Sequence, residues 1–281
     1  MVQIYADGII IEEQQFMGMR GIGSIFGLLL LAVGPLHASE RYYIFLFGSE
    51  SFPRTPSKTH TWATLVQTQC IGGSETIVQS LTISWMPATL KIRPLARESE
   101  TGRNLELHET IRFVLQDGQS IALWGPYEVY PTALPRFQAQ IGRLQRGEYR
   151  YKSVDRNHGP RVSNCIHAVS DLDPLYGRDE YPLTRFGKLA TQYLALEIFH
   201  RDRVIQPERN HAWLIPAMGL ERYPISRYQI VDGPLSYLVL RRRPFDAPIT
   251  PTTPAILPLP SLPIPPLRNA EPEIVAPAAP Q

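Results

Sequence analysis

Cysteine and lysine are both scarce in this chain of 281 residues. Two cysteines, Cys70 and Cys165, are too few for a disulfide scaffold or a cysteine-based metal centre. Four of the 28 basic residues are lysines (58, 91, 152 and 188), and the arginines are dispersed apart from the run Arg241-Arg242-Arg243. A formal net charge of +2 gives no field of the kind that holds nucleic acid or an anionic membrane. None of the seven histidines stands two to five residues from another, which removes the usual metal-ligand spacings. No glycine loop for phosphate follows a strand, and no G-x-S-x-G elbow occurs. The expectation is therefore no metal, no cofactor and no nucleic-acid partner.

Long apolar runs are equally rare. Within residues 21–36 the apolar core spans Ile25 to Val33, short of the roughly 20 residues that cross a bilayer. Arg20 precedes this core and Leu36-His37-Ala38 follows as a small-residue cleavage site, which is the pattern of a secretory signal. Asp7, Glu12 and Glu13 would make the leading region acidic. A start at Met17 or Met19 is therefore expected, with residues 1–16 a miscalled start and 17–38 the signal. Export to the periplasm or cell surface follows as the expectation, with an uncleaved membrane anchor as the alternative.

Proline is in excess at one end, where 12 of the 27 fall in residues 244–281. Proline lacks an N–H and fixes its backbone angle, so this tail is expected to stay out of any sheet and favour extended geometry. It would serve as a spacer or as a strip that contacts a partner. Residues 41–243 read as one globular α+β domain, an antiparallel sheet with packed helices, because strand and helix patterns come in blocks. Arg41–Phe47 has strand character, and Thr61–Thr68 with Thr76–Trp85 form a hairpin about Gly72-Gly73. Asn104 is expected to cap a helix from Leu105 to Gln116, and Ser120–Trp124 to be a strand ending at Gly125-Pro126. Thr132 opens a second helix and Ser163 or Asn164 a third. A fourth covers Lys188–His200, and Tyr228–Leu240 returns as strand.

The block richest in chemistry is Asn164-Cys165-Ile166-His167-Ala168. A cysteine in the first turn of a helix sits where free N–H groups and the helix dipole favour the thiolate, the nucleophilic form. His60, at the start of a strand in His60-Thr61-Trp62-Ala63, is the base that such a nucleophile needs. A weaker acid–base pair, His108-Glu109, begins the first helix. Two structural alternatives stand beside this reading. Cys165 is a core residue, or it pairs with Cys70 in a disulfide.

These two blocks resemble the lecithin retinol acyltransferase-type branch of the permuted papain-like enzymes. Members carry an early strand histidine followed by an aromatic and a small residue, then, about a hundred residues later, Asn-Cys-x-His opening a helix. The resemblance implies a circularly permuted papain-like fold. It also implies Cys165 as nucleophile, His60 as general base and Asn164 in support, acting on an amide, thioester or ester carbonyl of cell-envelope or lipid material. The chain departs from that branch at position 72, where a second histidine is replaced by Gly72. With a simple hairpin, residue 60 would lie opposite Trp85, and Ser84 and Thr82 would face away; a one-residue bulge would reverse this.

Aromatic residues next to proline turns mark two further blocks, Ser84-Trp85-Met86-Pro87 and Leu123-Trp124-Gly125-Pro126-Tyr127-Glu128. Trp62, Trp85, Trp124 and Tyr127 are candidates to wall a binding groove, or else to fill the core at a sheet edge. His211-Ala212-Trp213 is of the same kind. The blocks also resemble those of a group of exported bacterial proteins, which implies export and a shared fold. Two functions follow: an exported cysteine hydrolase or acyltransferase, or a non-catalytic exported binding protein with an aromatic groove.

Overall fold

The computed structural model describes residues 39–155, 161–172, 186–200, 203–206, 209–230 and 241–242. The expected signal, the proline-rich tail and most of the strand expected over 228–240 lie outside the described residues. All described residues fall within one compact unit, residues 38–281. No helix among them is long and apolar enough to cross a membrane.

The chain opens with a meander. β1 (Ser39–Ser51) and β2 (Thr59–Ile71) pair antiparallel with Glu50 opposite Thr59, and β3 (Ser74–Ile83) returns beyond Gly72-Gly73. Both glycines take positive φ, the geometry a two-residue hairpin turn demands. β4 (Trp85–Pro87) leaves this sheet and pairs with β5 (Glu100–Asn104). After α1 (Leu107–Gln116), β6 (Gln119–Val129) returns beside β1, and α2 (Ala133–Gln145) follows. β7 (Arg150–Tyr151) and β8 (Val162–Ser163) extend the sheet begun by β4 and β5. Next come α3 (Cys165–Ser170), α4 (Lys188–His200) and α5 (Leu214–Ala217). β9 (Ile225–Gln229) joins β6 in parallel, and β10 (Arg241–Arg242) pairs antiparallel with β9. The main sheet has the order β10-β9-β6-β1-β2-β3 and the smaller one β4-β5-β7-β8. The α+β class expected from the sequence is the class observed, but the expected antiparallel sheet is corrected: β6 pairs with β9 and β7 with β8 in parallel.

Side chains alternate across a strand, so the main sheet feeds two cores. Ile44, Leu46, Ala63, Leu65 and Ile83 pack with Trp85, Trp124 and Phe137 and with Ala168, Val169 and Leu194 of α3 and α4. Tyr43, Phe45, Phe47, Trp62 and Val66 pack on the other side with Leu107, Ile111 and Val114 of α1 and Leu214 of α5. Both faces of β1 are covered, which is why Tyr42 to Phe47 read as an unbroken apolar run.

Three local expectations change. The first helix starts at Leu107 with Glu106 as its N-cap, and Asn104 closes β5 instead. The Asn104 Oδ1 accepts from the Ser84 N–H at 2.7 Å and its Nδ2 donates to the Thr82 carbonyl at 2.7 Å, so its amide is spent joining the hairpin to β5. The strand expected to stop at Gly125 continues to Val129, because a register shift opposite Ile44–Leu46 absorbs the irregular Gly125-Pro126 step. The third change carries most weight. Thr68 lies opposite Ile77 but Gln67 lies opposite Gln79, so β3 holds one extra residue and every later side chain on it changes face.

Candidate functional site

The first turn of α3 is held by an aspartate that sequence reading did not single out. Asn164 is the N-cap, and its Oδ1 accepts from the His167 N–H at 2.8 Å. Asp155 accepts from the Asn164 N–H and from its Nδ2, both at 3.0 Å, and its Oδ2 lies 2.6 Å from His167 Nδ1. Asp155, Asn164 and His167 are all buried. One carboxylate thus satisfies the cap residue and orients the imidazole of the same turn. Replacing Asp155 with alanine strands buried donors at about 1–3 kcal/mol each, so a loss of about 3 kcal/mol and a Tm drop of about 6–12 °C are expected. Thermal unfolding of Asp155→Ala beside Asp155→Asn measures it, and the amide variant should retain part of the stability.

Cys165 follows the cap and is buried, as is Thr61 on the adjacent strand. Burial pushes its thiol up to about 11, and the Asp155 charge adds to this. The backbone N–H groups at Thr61, Cys165 and Ile166 oppose that rise without cancelling it. Cys165 and Cys70 are both free thiols. Cys165 lines a cavity of about 250 Å³ whose polar lining residues include Thr59, Ser153, Asn164 and His167. Ile92, Pro94 and Leu95 supply an apolar side. A smaller cavity of about 80 Å³, beside Ile44, Val129, Phe137 and Leu194, contains none of the residues singled out from the sequence.

His60 does not meet Cys165. Its Nε2 lies 2.8 Å from the Ser84 Oγ, which is also 2.8 Å from the Thr110 Oγ1 on α1. The ring stacks on Trp62 with centroids 5.4 Å apart, and Nδ1 is buried without a hydrogen-bond partner. Trp62 and α1 belong to one side of the sheet, whereas α3 packs on the other with Ala63 and Leu65. Alternation along β2 therefore turns His60 away from the α3 face. The extra residue in β3 explains Ser84: it brings that hydroxyl to the His60 face, where a simple hairpin would have put it opposite. Burial drives the His60 imidazole down to about 3, so it is neutral at ordinary pH.

The weaker candidates also part from Cys165. His108 lies 3.3 Å from the Tyr223 hydroxyl and 3.4 Å from an Arg222 nitrogen, and Glu109 pairs with Arg103 at 2.6 Å. Both are on α1, on the far side of the main sheet, and burial followed by the Arg222 and Arg112 charges lowers the His108 pKa. The aromatic groove is corrected as well. Trp62, Trp85 and Trp124 are each at most 1 % exposed and fill the two cores. Tyr127 packs against the core beside Trp124 and lines neither cavity. Large rings beside proline turns are here spent on burial, the strongest pull on such surfaces.

No family model matches the chain, and no curated protein and no solved structure matches it either. Among the described residues, no group of three or more His, Cys, Asp or Glu side chains could hold a metal ion.

Proposed function

We propose that this chain is a non-catalytic exported binding protein whose ligand enters the cavity at the N-terminus of α3. The observation that carries the reading is a preformed cavity of about 250 Å³ whose lining combines apolar side chains with the polar groups of Thr59, Ser153, Asn164 and His167. Among the described residues the one thiol lining it, Cys165, has no imidazole partner supplied by His60. Ligand cavities commonly combine an apolar body with a few convergent polar groups, and this one sits below their usual range of roughly 300–1,000 Å³. The ligand class is therefore a small amphiphile. Its hydrogen-bonding end would meet Thr59, Asn164 and His167, and its apolar end Ile92 and Pro94. Export rests on the signal-like residues 17–38, and the proline tail belongs to this reading as a spacer.

One observation favours the second reading, an exported cysteine hydrolase or acyltransferase of permuted papain-like type. Cys165 stands in the first turn of α3 beside β2, with N–H groups of Thr61 and Ile166 at its sulfur, an arrangement that could also stabilise an oxyanion. That reading needs a base other than His60.

Ligand-detected NMR with a panel of short amides, aromatic alcohols and short-chain acids tests the binding reading. At least one class is expected to show saturation transfer that disappears in Ser153→Phe, which fills the polar end. Transfer from no class, or transfer indifferent to that variant, overturns it.

A further inference from the structure

We propose that the two loops at the mouth of this cavity form a docking surface for an anionic phospholipid bilayer. Phe52 and Leu95 are the inserting side chains, and Lys91, Arg93 and Arg97 the cations that meet lipid phosphates. The inference goes beyond the binding reading and does not depend on a ligand entering the cavity.

Two apolar side chains supply the first argument. Phe52 is 100 % exposed and Leu95 96 %, whereas no other large hydrophobic residue among those described exceeds 55 %. They stand on different loops, residues 52–58 between β1 and β2 and residues 88–99 between β4 and β5. Both loops border one opening, since Pro56 of the first and Pro94 and Leu95 of the second line the cavity. Two residues after Phe52, the Arg54 Nη2 donates to the Phe186 carbonyl at 2.7 Å, and the guanidinium lies over the Phe186 ring. Phe186 lines the same cavity, as does the exposed Val154. Exposed apolar groups gathered around one opening mark a contact surface.

The second argument is how the loop of Leu95 is held. Half-buried Ile92, Pro94 and Ala96 alternate with exposed Lys91, Arg93, Leu95 and Arg97. The inward row packs toward the cavity through Ile92 and Pro94. The main chain is fixed from beneath: the Ser153 Oγ donates to the Arg93 carbonyl at 2.9 Å, and the Lys152 Nζ donates to the Arg97 carbonyl at 2.5 Å. These bonds use backbone oxygens and leave the charged side chains of the outward row to solvent. The loop thus presents its leucine already ordered, which lowers the entropic cost of docking.

Charge names the partner. Lys91, Arg93 and Arg97 surround Leu95, with Glu98 the one exposed acid beside them. Among the described residues no ion pair engages these three cations. Arg54 and Lys58 on the first loop are instead held by Glu50 at 3.2 Å and Asp117 at 3.3 Å. The chain's net charge of +2 conceals the cluster, because the three cations fall within residues 91–97. Apolar tips ringed by cations match the layering of a bilayer, with acyl chains inside and phosphates at the surface. A second copy of this surface would set like charge against like. Each cation near an anionic leaflet strengthens binding about fivefold.

The test uses the full chain with a photo-crosslinking benzophenone amino acid in place of Phe52. Vesicles are phosphatidylcholine alone or an equal mixture with phosphatidylglycerol. Irradiation on the mixed vesicles should add the mass of a lipid to the peptide that carries residue 52. On phosphatidylcholine alone the yield should fall at least about tenfold, and so should the yield of Lys91→Gln/Arg93→Gln/Arg97→Gln on mixed vesicles. Leu95→Asp, which sets a carboxylate against the phosphates, should cut it by a similar factor. All four positions are exposed, so these variants keep the fold. The readout is local, so attachment of the chain to vesicles at another site gives no adduct at residue 52. No adduct there, equal yields on both vesicles, an undiminished yield in either variant, or crosslinks between chains in its place overturn the proposal.

Discussion

Between about pH 6.5 and pH 3 the domain is expected to lose roughly 1.4 kcal/mol of stability per pH unit through His60 alone. The cause is its burial: it is 1 % exposed, and its imidazole is driven down to about 3. In the unfolded chain the same ring titrates near its ordinary value of about 6.5. Above that pH both states hold the neutral ring and His60 adds no pH dependence. Below it the unfolded chain takes up a proton that the native state refuses until about pH 3, so the equilibrium shifts toward unfolding. Integrated over the window, the loss is roughly 4–5 kcal/mol, a large share of the 5–15 kcal/mol typical of a domain. Urea unfolding at pH steps from 7 to 4 measures it against His60→Gln, whose amide can still reach the Ser84 hydroxyl. Carboxylates titrate alike in both proteins, so the difference in slope isolates His60. Equal slopes would place the imidazole in contact with water and remove the buried contact with Ser84.

What the sequence made legible was local. Gly72-Gly73 announced the turn between β2 and β3, and Ser163-Asn164 announced the cap of α3, which Asn164 supplies, because each rests on a conformation or hydrogen bond set by neighbours in the chain. The apolar run of β1 and the blockwise order of elements were enough for the α+β class. The extra residue between Ile77 and Gln79 was not legible, since no glycine or proline marks it. That single residue decided which hydroxyl met His60. Asp155 was hidden for a different reason: it stands nine residues before the cap it serves, outside the span of any local capping pattern. Asn104 looked like a helix cap because a short polar amide before an apolar run usually is one; here the β3–β5 junction claimed it. The tryptophans were misjudged because an aromatic residue beside a proline turn carries the same local pattern at a groove wall and in a core. The difference lies in what packs over it, which depends on α2, α3 and α4 for Trp85 and Trp124 and on α1 for Trp62.

Alkylation of Cys165 should be slow at neutral pH and should keep rising about tenfold per pH unit to the limit of the stable range. With its thiol pushed up to about 11, only a few parts in ten thousand are thiolate at pH 7.5. An ordinary thiol near 8.5 is about one-tenth ionised at the same pH, so labelling should be roughly 300-fold slower than for a free cysteine peptide. Three backbone N–H groups already act on this sulfur and do not offset its burial. A primed nucleophile would need a further positive or proton-accepting partner, and the nearest expected one, His60, is committed to Ser84 across the sheet. His60→Gln should therefore leave the Cys165 rate profile unchanged. Mass spectrometry resolves Cys165 from Cys70, which is only partly buried on β2 and serves as the internal comparison. The two readings of the site diverge here by more than two orders of magnitude. Fast labelling that persists below pH 8 would mean that a base reaches Cys165 in solution, and the cavity would then have to be treated as a thiol hydrolase site. Slow labelling, steep in pH and indifferent to His60, leaves the thiol as one wall of a binding cavity. The hydrogen bonds of Asp155 would then serve to keep that wall in place.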